Sequence, residues 1–207
     1  MAKRKIALFG GTFDPIHLGH TRVAEAAAKQ IDAEKVVFIP AKCSPLKGFS
    51  PNATDDDRLR MIELATRSNE RFSVSDCELR RPAPSYTLDT VKHFQRECGD
   101  DASIYWLIGA DSVDDLVLWH RIDELIDICR LAVMVRGGYE APSFDRHLHV
   151  LGRNRVEKLQ RNTIETPSIE ISSTLVRRRL AAGDDVGDML CPDVLDYIRQ
   201  HGLYRRN

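Results

Sequence analysis

The stretch Ile6-Ala7-Leu8-Phe9-Gly10-Gly11-Thr12-Phe13-Asp14-Pro15-Ile16-His17-Leu18-Gly19-His20 decides the fold. A short apolar run, Ile6 to Phe9, ends in two glycines, and from Leu18 a helix-period pattern runs to Gln30. Strand, glycine turn and helix start, in that order, are where a parallel sheet binds phosphates. Glycines let the backbone approach an anion closely, and the unpaired amides of a helix start carry about half a positive charge. The spacing is neither Gly-x-Gly-x-x-Gly nor the Gly-x-x-x-x-Gly-Lys-Ser/Thr of a P-loop. Neither dinucleotide binding nor P-loop transfer therefore follows from it.

Outward from this turn the same alternation continues. Strands are expected near Val36 to Ile39, Phe72 to Val74, Ile104 to Ile108 and Leu131 to Val135. Helices are expected between them, near Asp55 to Ser68, Tyr86 to Glu97 and Ile122 to Cys129. Thr54 with Asp57 forms a capping-box pattern at one helix start. Helices between successive strands imply an α/β fold, a Rossmann-like doubly wound parallel sheet covered on both faces. A C-terminal helical segment over about 168–207 follows, with helices near Ser173 to Ala182 and Pro192 to Gln200 stopped by Gly183 and Gly202. Ala41 to Ala53 and Gly137 to Asn162 interrupt the pattern and read as loops; His147 and His149, in the second, read as solvated residues on one side of a strand.

At 207 residues, with 43% apolar and 29% charged, the chain suits a single domain with a real core. Thirty basic against 31 acidic residues, a net charge of −1, argue against a general nucleic-acid or membrane-surface binder. Any charged ligand has to be met locally. No apolar run approaches the roughly 20 residues that span a bilayer, and the basic start Met1 to Lys5 is not followed by a secretory core, so a cytoplasmic protein is expected. Five cysteines without a Cys-x-x-Cys pair fit reduced thiols, and no zinc site is expected.

His17 and His20, three residues apart at a helix start, point to one side and can donate to the same anion. An isolated His-x-x-His is more often a cap plus a buried residue; the two glycines and the strand end weigh the other way. A second segment, Ile171-Ser172-Ser173-Thr174-Leu175-Val176-Arg177, offers a serine cap with Arg177 on the same face one turn in. A polyphosphate tail fits there, although in isolation a capped surface helix explains the residues better. Arg178 and Arg179 are left to solvent.

His17-Leu18-Gly19-His20 resembles the His-x-Gly-His signature of the nucleotidyltransferase superfamily, and the run from Gly10 to His20 resembles its nicotinate-nucleotide adenylyltransferase branch. Class I aminoacyl-tRNA synthetases share the signature but add a lysine-rich loop that is not visible here. Ile171 to Arg177 resembles the family's second motif, about 150 residues on. Pro84-Ser85-Tyr86-Thr87 is similar to the motif that holds the nicotinate ring, and Trp119 to the tryptophan packed against it. Outside the family, Ser85 or Thr87 reads as a helix cap, Trp119 as core and Asp111 as another cap. The resemblance implies ATP binding by Gly10, Gly11, Thr12, Phe13, His17, His20, Gly109, Asp111, Ser172, Ser173 and Arg177. It implies mononucleotide binding by Lys47, Ser85, Tyr86, Thr87, Trp119 and Arg136, and catalysis by His17, His20 and Arg177.

The chain departs from the branch in two places. Ser44-Pro45-Leu46-Lys47 keeps the cation but has Leu46 for a histidine, and His120 follows Trp119 where a tyrosine is common. The implied reaction joins ATP to nicotinate mononucleotide, giving deamido-NAD and pyrophosphate. Mg²⁺ is expected with the ATP rather than in a protein cage, and neither nucleic acid nor membrane is expected as a partner. Self-association is left open. Rival acceptors are nicotinamide mononucleotide and phosphopantetheine, and a non-catalytic nucleotide sensor is the rival from another class.

Overall fold

The computed structural model describes residues 3–43, 45 and 50–205. Among the described residues there are six strands: β1 Arg4–Gly11, β2 Lys35–Pro40, β3 Phe72–Val74, β4 Ala102–Gly109, β5 Arg130–Arg136 and β6 Thr163–Thr166. The helices are α1 Leu18–Ile31, α2 Asp55–Thr66, α3 Thr87–Cys98, α4 Ile122–Ile128, α5 Leu148–Leu151, α6 Arg153–Arg161, α7 Ser173–Ala182 and α8 Pro192–Gln200. All strand pairs are parallel, in the order β3-β2-β1-β4-β5-β6. That order is the doubly wound Rossmann arrangement, and it reverses between β1 and β4, where a crevice opens at the carboxyl ends of the strands.

Alternate residues of each central strand serve opposite cores. Ala7, Phe9, Val36 and Phe38 face one layer with Ala24, Ala27 and Ala28 of α1, Met61 and Ile62 of α2, and Val194 and Ile198 of α8. Ile6, Leu8, Val37 and Ile39 face the other with Leu88, Val91 and Phe94 of α3 and Leu125 and Ile126 of α4. The C-terminal segment thus completes the core under β1 and α1. At α2, the Thr54 hydroxyl accepts from the Asp57 amide at 3.1 Å and donates to its carboxylate at 2.7 Å.

The segment 137–162 is not a loop. It carries a 3₁₀ turn at Asp145–His147, then α5 and α6, and it leads into β6, which pairs with β5. His147 is buried, with Nε2 2.8 Å from the Val113 carbonyl, whereas His149 lies exposed on α5, so the two share neither a strand nor solvent. Among the described residues no helix is long and apolar enough to cross a membrane.

Candidate active site

β1 delivers Gly10 and Gly11 to the crevice, and Gly10 has to be glycine: a Cβ there would lie 2.4 Å from the buried Trp106 ring. His17 then starts α1 as its N-cap. Its ring lies stacked on that of His20, centroids 3.7 Å apart and 24° from parallel. Gly19 makes room, since a Cβ there would stand 2.9 Å from the His17 ring. Burial holds the His17 pKa down at about 4, so this imidazole is neutral at pH 7, and its Nδ1 is buried with no hydrogen-bond partner among the described residues. His20 Nδ1 accepts from the His17 amide at 3.2 Å, which places the proton of the neutral ring on Nε2. Phe13 meets His20 edge-on at 5.0 Å but is 2% exposed, so only its backbone is available to a ligand.

The second motif folds onto this turn. Arg177 Nη1 donates to the Asp14 carbonyl at 2.6 Å, and the Ser173 hydroxyl donates to the Pro15 carbonyl at 2.9 Å. Ser172 is the N-cap of α7, its hydroxyl accepting from the Leu175 amide at 3.2 Å. The Ser173 hydroxyl hydrogen is therefore committed within the protein, and anion contacts at this helix start fall to its first-turn amides. Two helix starts separated by some 150 residues of chain meet at one turn.

Beside the turn, a cavity of about 380 Å³ lies at the carboxyl ends of β1 and β4. Gly10, Gly11, Thr12, Gly109 and Asp111 line it on one side, and Ser85, Tyr86, Thr87 and Trp119 on the other. His17, His20, Ser173 and Arg177 are not in its lining; they gather at the Phe13–Pro15 turn that follows Thr12. Tyr86 is the N-cap of α3, so neither Ser85 nor Thr87 caps it. Ser85 instead ties down the neighbouring loop, its hydroxyl accepting from the Lys42 amide at 3.2 Å and its amide donating to the Cys43 carbonyl at 2.9 Å. Arg136 ends β5 exposed and does not line the cavity. Lys47 and Leu46 lie outside the described residues. A larger open groove of about 900 Å³, lined by Lys3, Arg96 and Arg130 among others, sits at the amino ends of the strands and holds none of the motif residues.

The model for the cytidylyltransferase-like family matches residues 8–179. Relatives that carry the name "Probable nicotinate-nucleotide adenylyltransferase" include one from Neisseria gonorrhoeae, 40% identical over 98% of this chain and 100% of its own. Another, from Neisseria meningitidis serogroup B, is 41% identical with the same coverage, and one from Pectobacterium atrosepticum is 40% identical over 96% of this chain and 98% of its own. The chain belongs to the nicotinate-nucleotide adenylyltransferase family. Its fold is that of the nicotinic acid mononucleotide adenylyltransferase of Plasmodium falciparum complexed with NaAD, with TM-score 0.71, 19% identity and 97% of each chain covered. The same enzyme complexed with APC superposes with TM-score 0.66, at 21% identity and 97% of each chain.

Asp14, Asn52, Arg58 and Tyr204, none of which was given a role from the sequence, hold this adenylyltransferase turn in place. Asp14 is 2% exposed and accepts from the Asn52 amide and side chain, both at 2.8 Å, the Ala53 amide at 3.1 Å and the Tyr204 hydroxyl at 2.8 Å. Burial pushes the Asp14 carboxyl up, but the bonds from Asn52, Tyr204 and Ala53 together outweigh it and hold the pKa below the ordinary value. Arg58, fully buried, donates to the Thr12 carbonyl at 2.7 Å and to Asp55 at 2.6 Å, placing a permanent charge beneath the glycine turn. Glu78, 3% exposed, lines the cavity and accepts from the Thr90 hydroxyl at 2.5 Å; burial pushes its pKa up. The only advance signal was the mismatch between an ionisable residue and apolar neighbours, and every surface carboxylate or arginine shares it.

Proposed function

We propose that this chain transfers the adenylyl group of ATP to the 5′-phosphate of nicotinate mononucleotide, releasing pyrophosphate and forming deamido-NAD. The observation that carries the reading is the seating of Arg177 and Ser173 on the Asp14–Pro15 turn beside a cavity at the crevice of the sheet. The names of its relatives supply the substrate class.

An oxygen of the mononucleotide phosphate forms a bond to the α-phosphorus; the bond from that phosphorus to the bridging oxygen breaks, and its electron pair leaves with pyrophosphate. The nucleophile needs no general base, because a phosphate monoester with a second pKa near about 6 is mostly a dianion at neutral pH. Catalysis is then positioning and charge neutralisation. Gly10 and Gly11 let the triphosphate lie against the backbone. His20 Nε2–H and the remaining N–H groups of Arg177 meet the charge that grows on pyrophosphate, and the first-turn amides of α7 hold the β and γ groups. His17, being neutral, contributes at most one hydrogen bond and braces the His20 ring.

In this reading Asp111 accepts ribose hydroxyls and Ser85, Tyr86, Thr87 and Trp119 hold the ring, while the assignment of Lys47 and Arg136 to the second phosphate rests on the family resemblance alone. Among the described residues no three His, Cys, Asp or Glu side chains gather to hold a metal. A Mg²⁺ brought in with the ATP would offset repulsion between the two phosphates. The test is pyrophosphate release from Mg-ATP with nicotinate mononucleotide, nicotinamide mononucleotide and phosphopantetheine in turn. Release with nicotinate mononucleotide is expected to be the fastest. Faster release with another acceptor moves the substrate assignment, and release with none of them indicates a nucleotide-sensing protein.

A further inference from the structure

The groove at the amino ends of the strands lies at the far end of the sheet from the crevice. β4 runs from one to the other: Ala102, Ser103 and Ile104 line the groove, and Trp106 to Gly109 line the cavity at the crevice. From Ala102 to Gly109 the strand spans roughly 23 Å, so the two can be occupied independently. At about 900 Å³ the groove has the size of a small-molecule site, roughly 300–1,000 Å³.

Its charge is out of proportion to the chain's. Five cationic side chains, Lys3, Arg81, Lys92, Arg96 and Arg130, line it against two carboxylates, Asp89 and Asp100, in a chain whose net charge is −1. Arg81 and Lys92 are engaged, with Glu78 at 3.8 Å and Glu124 at 2.7 Å. Lys3, Arg96 and Arg130 are exposed and have no carboxylate partner among the described residues. The last turn of α3 accounts for Arg96 by itself, since a cation there complements the helix dipole. It does not account for the other two. Lys3 leads into β1, and Arg130 opens β5 with its guanidinium 5.5 Å from the centre of the Tyr105 ring, which leaves the edge of the fork free to donate. These strands flank β4, whose first side chains, Ala102 and Ser103, are small and leave room between the cations.

The rest of the lining narrows the ligand. It carries no aromatic side chain, so a base or ring finds no surface to stack on, whereas two arginines offer forked donors suited to phosphate oxygens. We propose that this groove is a second anion site, separate from the crevice, that takes a condensed phosphate, free or as the tail of a nucleotide, through Lys3, Arg96 and Arg130. The proposal goes beyond the transfer reaction and does not depend on it.

The experiment titrates the full chain, labelled with ¹⁵N, with tripolyphosphate, and follows the amides of Gly99 and Ser103 beside the groove and of residues 10–20 and 172–177 at the crevice. Saturable shifts at Gly99 and Ser103 are expected, and Arg96→Gln with Arg130→Gln should weaken them by about tenfold or more while leaving the crevice shifts unchanged. Both residues are exposed, and unchanged amide positions elsewhere in the spectrum report that the fold is kept. Shifts confined to the crevice, shifts at the groove that rise without saturating, or equal affinity in the double variant would overturn the proposal. ATP should move the groove amides with an affinity within about tenfold of tripolyphosphate; much tighter binding means that the base is read, and overturns the assignment to phosphate alone. Hexaglutamate binding the groove more tightly than tripolyphosphate would replace it with an acidic peptide.

Discussion

A neutral His17 makes the folded protein sensitive to acid. Its pKa is about 4 when folded against 6.5 in the open chain, so between those values the unfolded state binds more protons. The His17 contribution to stability is complete above 6.5, declines as pH falls toward about 4, and amounts to roughly 3 kcal/mol over that window. Denaturant unfolding at pH 7.5 and 4.5 is expected to show the loss, and His17→Asn, which has no proton to take up, should flatten the slope. Equal slopes in both proteins would remove His17 as the cause. His20→Ala is expected to lower kcat by about 10²- to 10³-fold with little change in Tm, because its N–H is needed mainly in the transition state. The His-x-x-His spacing and the glycine between were legible in the sequence. The face-to-face stacking and the burial were not, because the start of α1 is held from outside itself, by the Leu18 amide donating to the Met189 carbonyl at 2.8 Å.

Among the elements, α7 links the fold most directly to chemistry. Ser172→Ala removes the cap and is expected to cost about 1 kcal/mol of stability. Because the first-turn amides of α7 are assigned to the triphosphate, the same change should raise the KM for ATP more than that for the mononucleotide. Steady-state kinetics with each substrate varied separately decides this, and equal effects on both would remove α7 from the ATP site. The strands from β1 to β5 announced themselves through apolar runs bounded by turns. β6 did not, since Thr163–Thr166 is a short edge strand with one apolar residue, and it pairs only because β5 is already in place. α6 was hidden for a related reason: Val156 and Leu159 are its only buried residues, too few to show a period among arginines and lysines.

Across the whole molecule, Asp14 joins three distant parts of the chain: the turn itself, Asn52 and Ala53 just before α2, and Tyr204 near the C-terminus. Its folded pKa is below the ordinary value, so its contribution to stability is present above the ordinary carboxylate range and is lost as pH falls through the folded pKa. Tyr204→Phe deletes one hydrogen bond to a buried carboxylate and is expected to cost about 1.5–3 kcal/mol in denaturant unfolding. It should also lower kcat, since Arg177 is anchored on the same residue through the Asp14 carbonyl. Unchanged stability and turnover would show that the C-terminal tyrosine is incidental to the site. The order of strands and helices, the glycine turn and the two serine and histidine motifs were determined by the sequence alone, because each is a local pattern in which neighbours along the chain decide the conformation. Only the tertiary structure decided that the late helix seats on the first turn, that His17 is neutral, that His147 is buried and that Arg58 lies under the glycine turn. Those outcomes depend on contacts between residues tens to hundreds of positions apart, and on the desolvation those contacts impose, which no local pattern encodes.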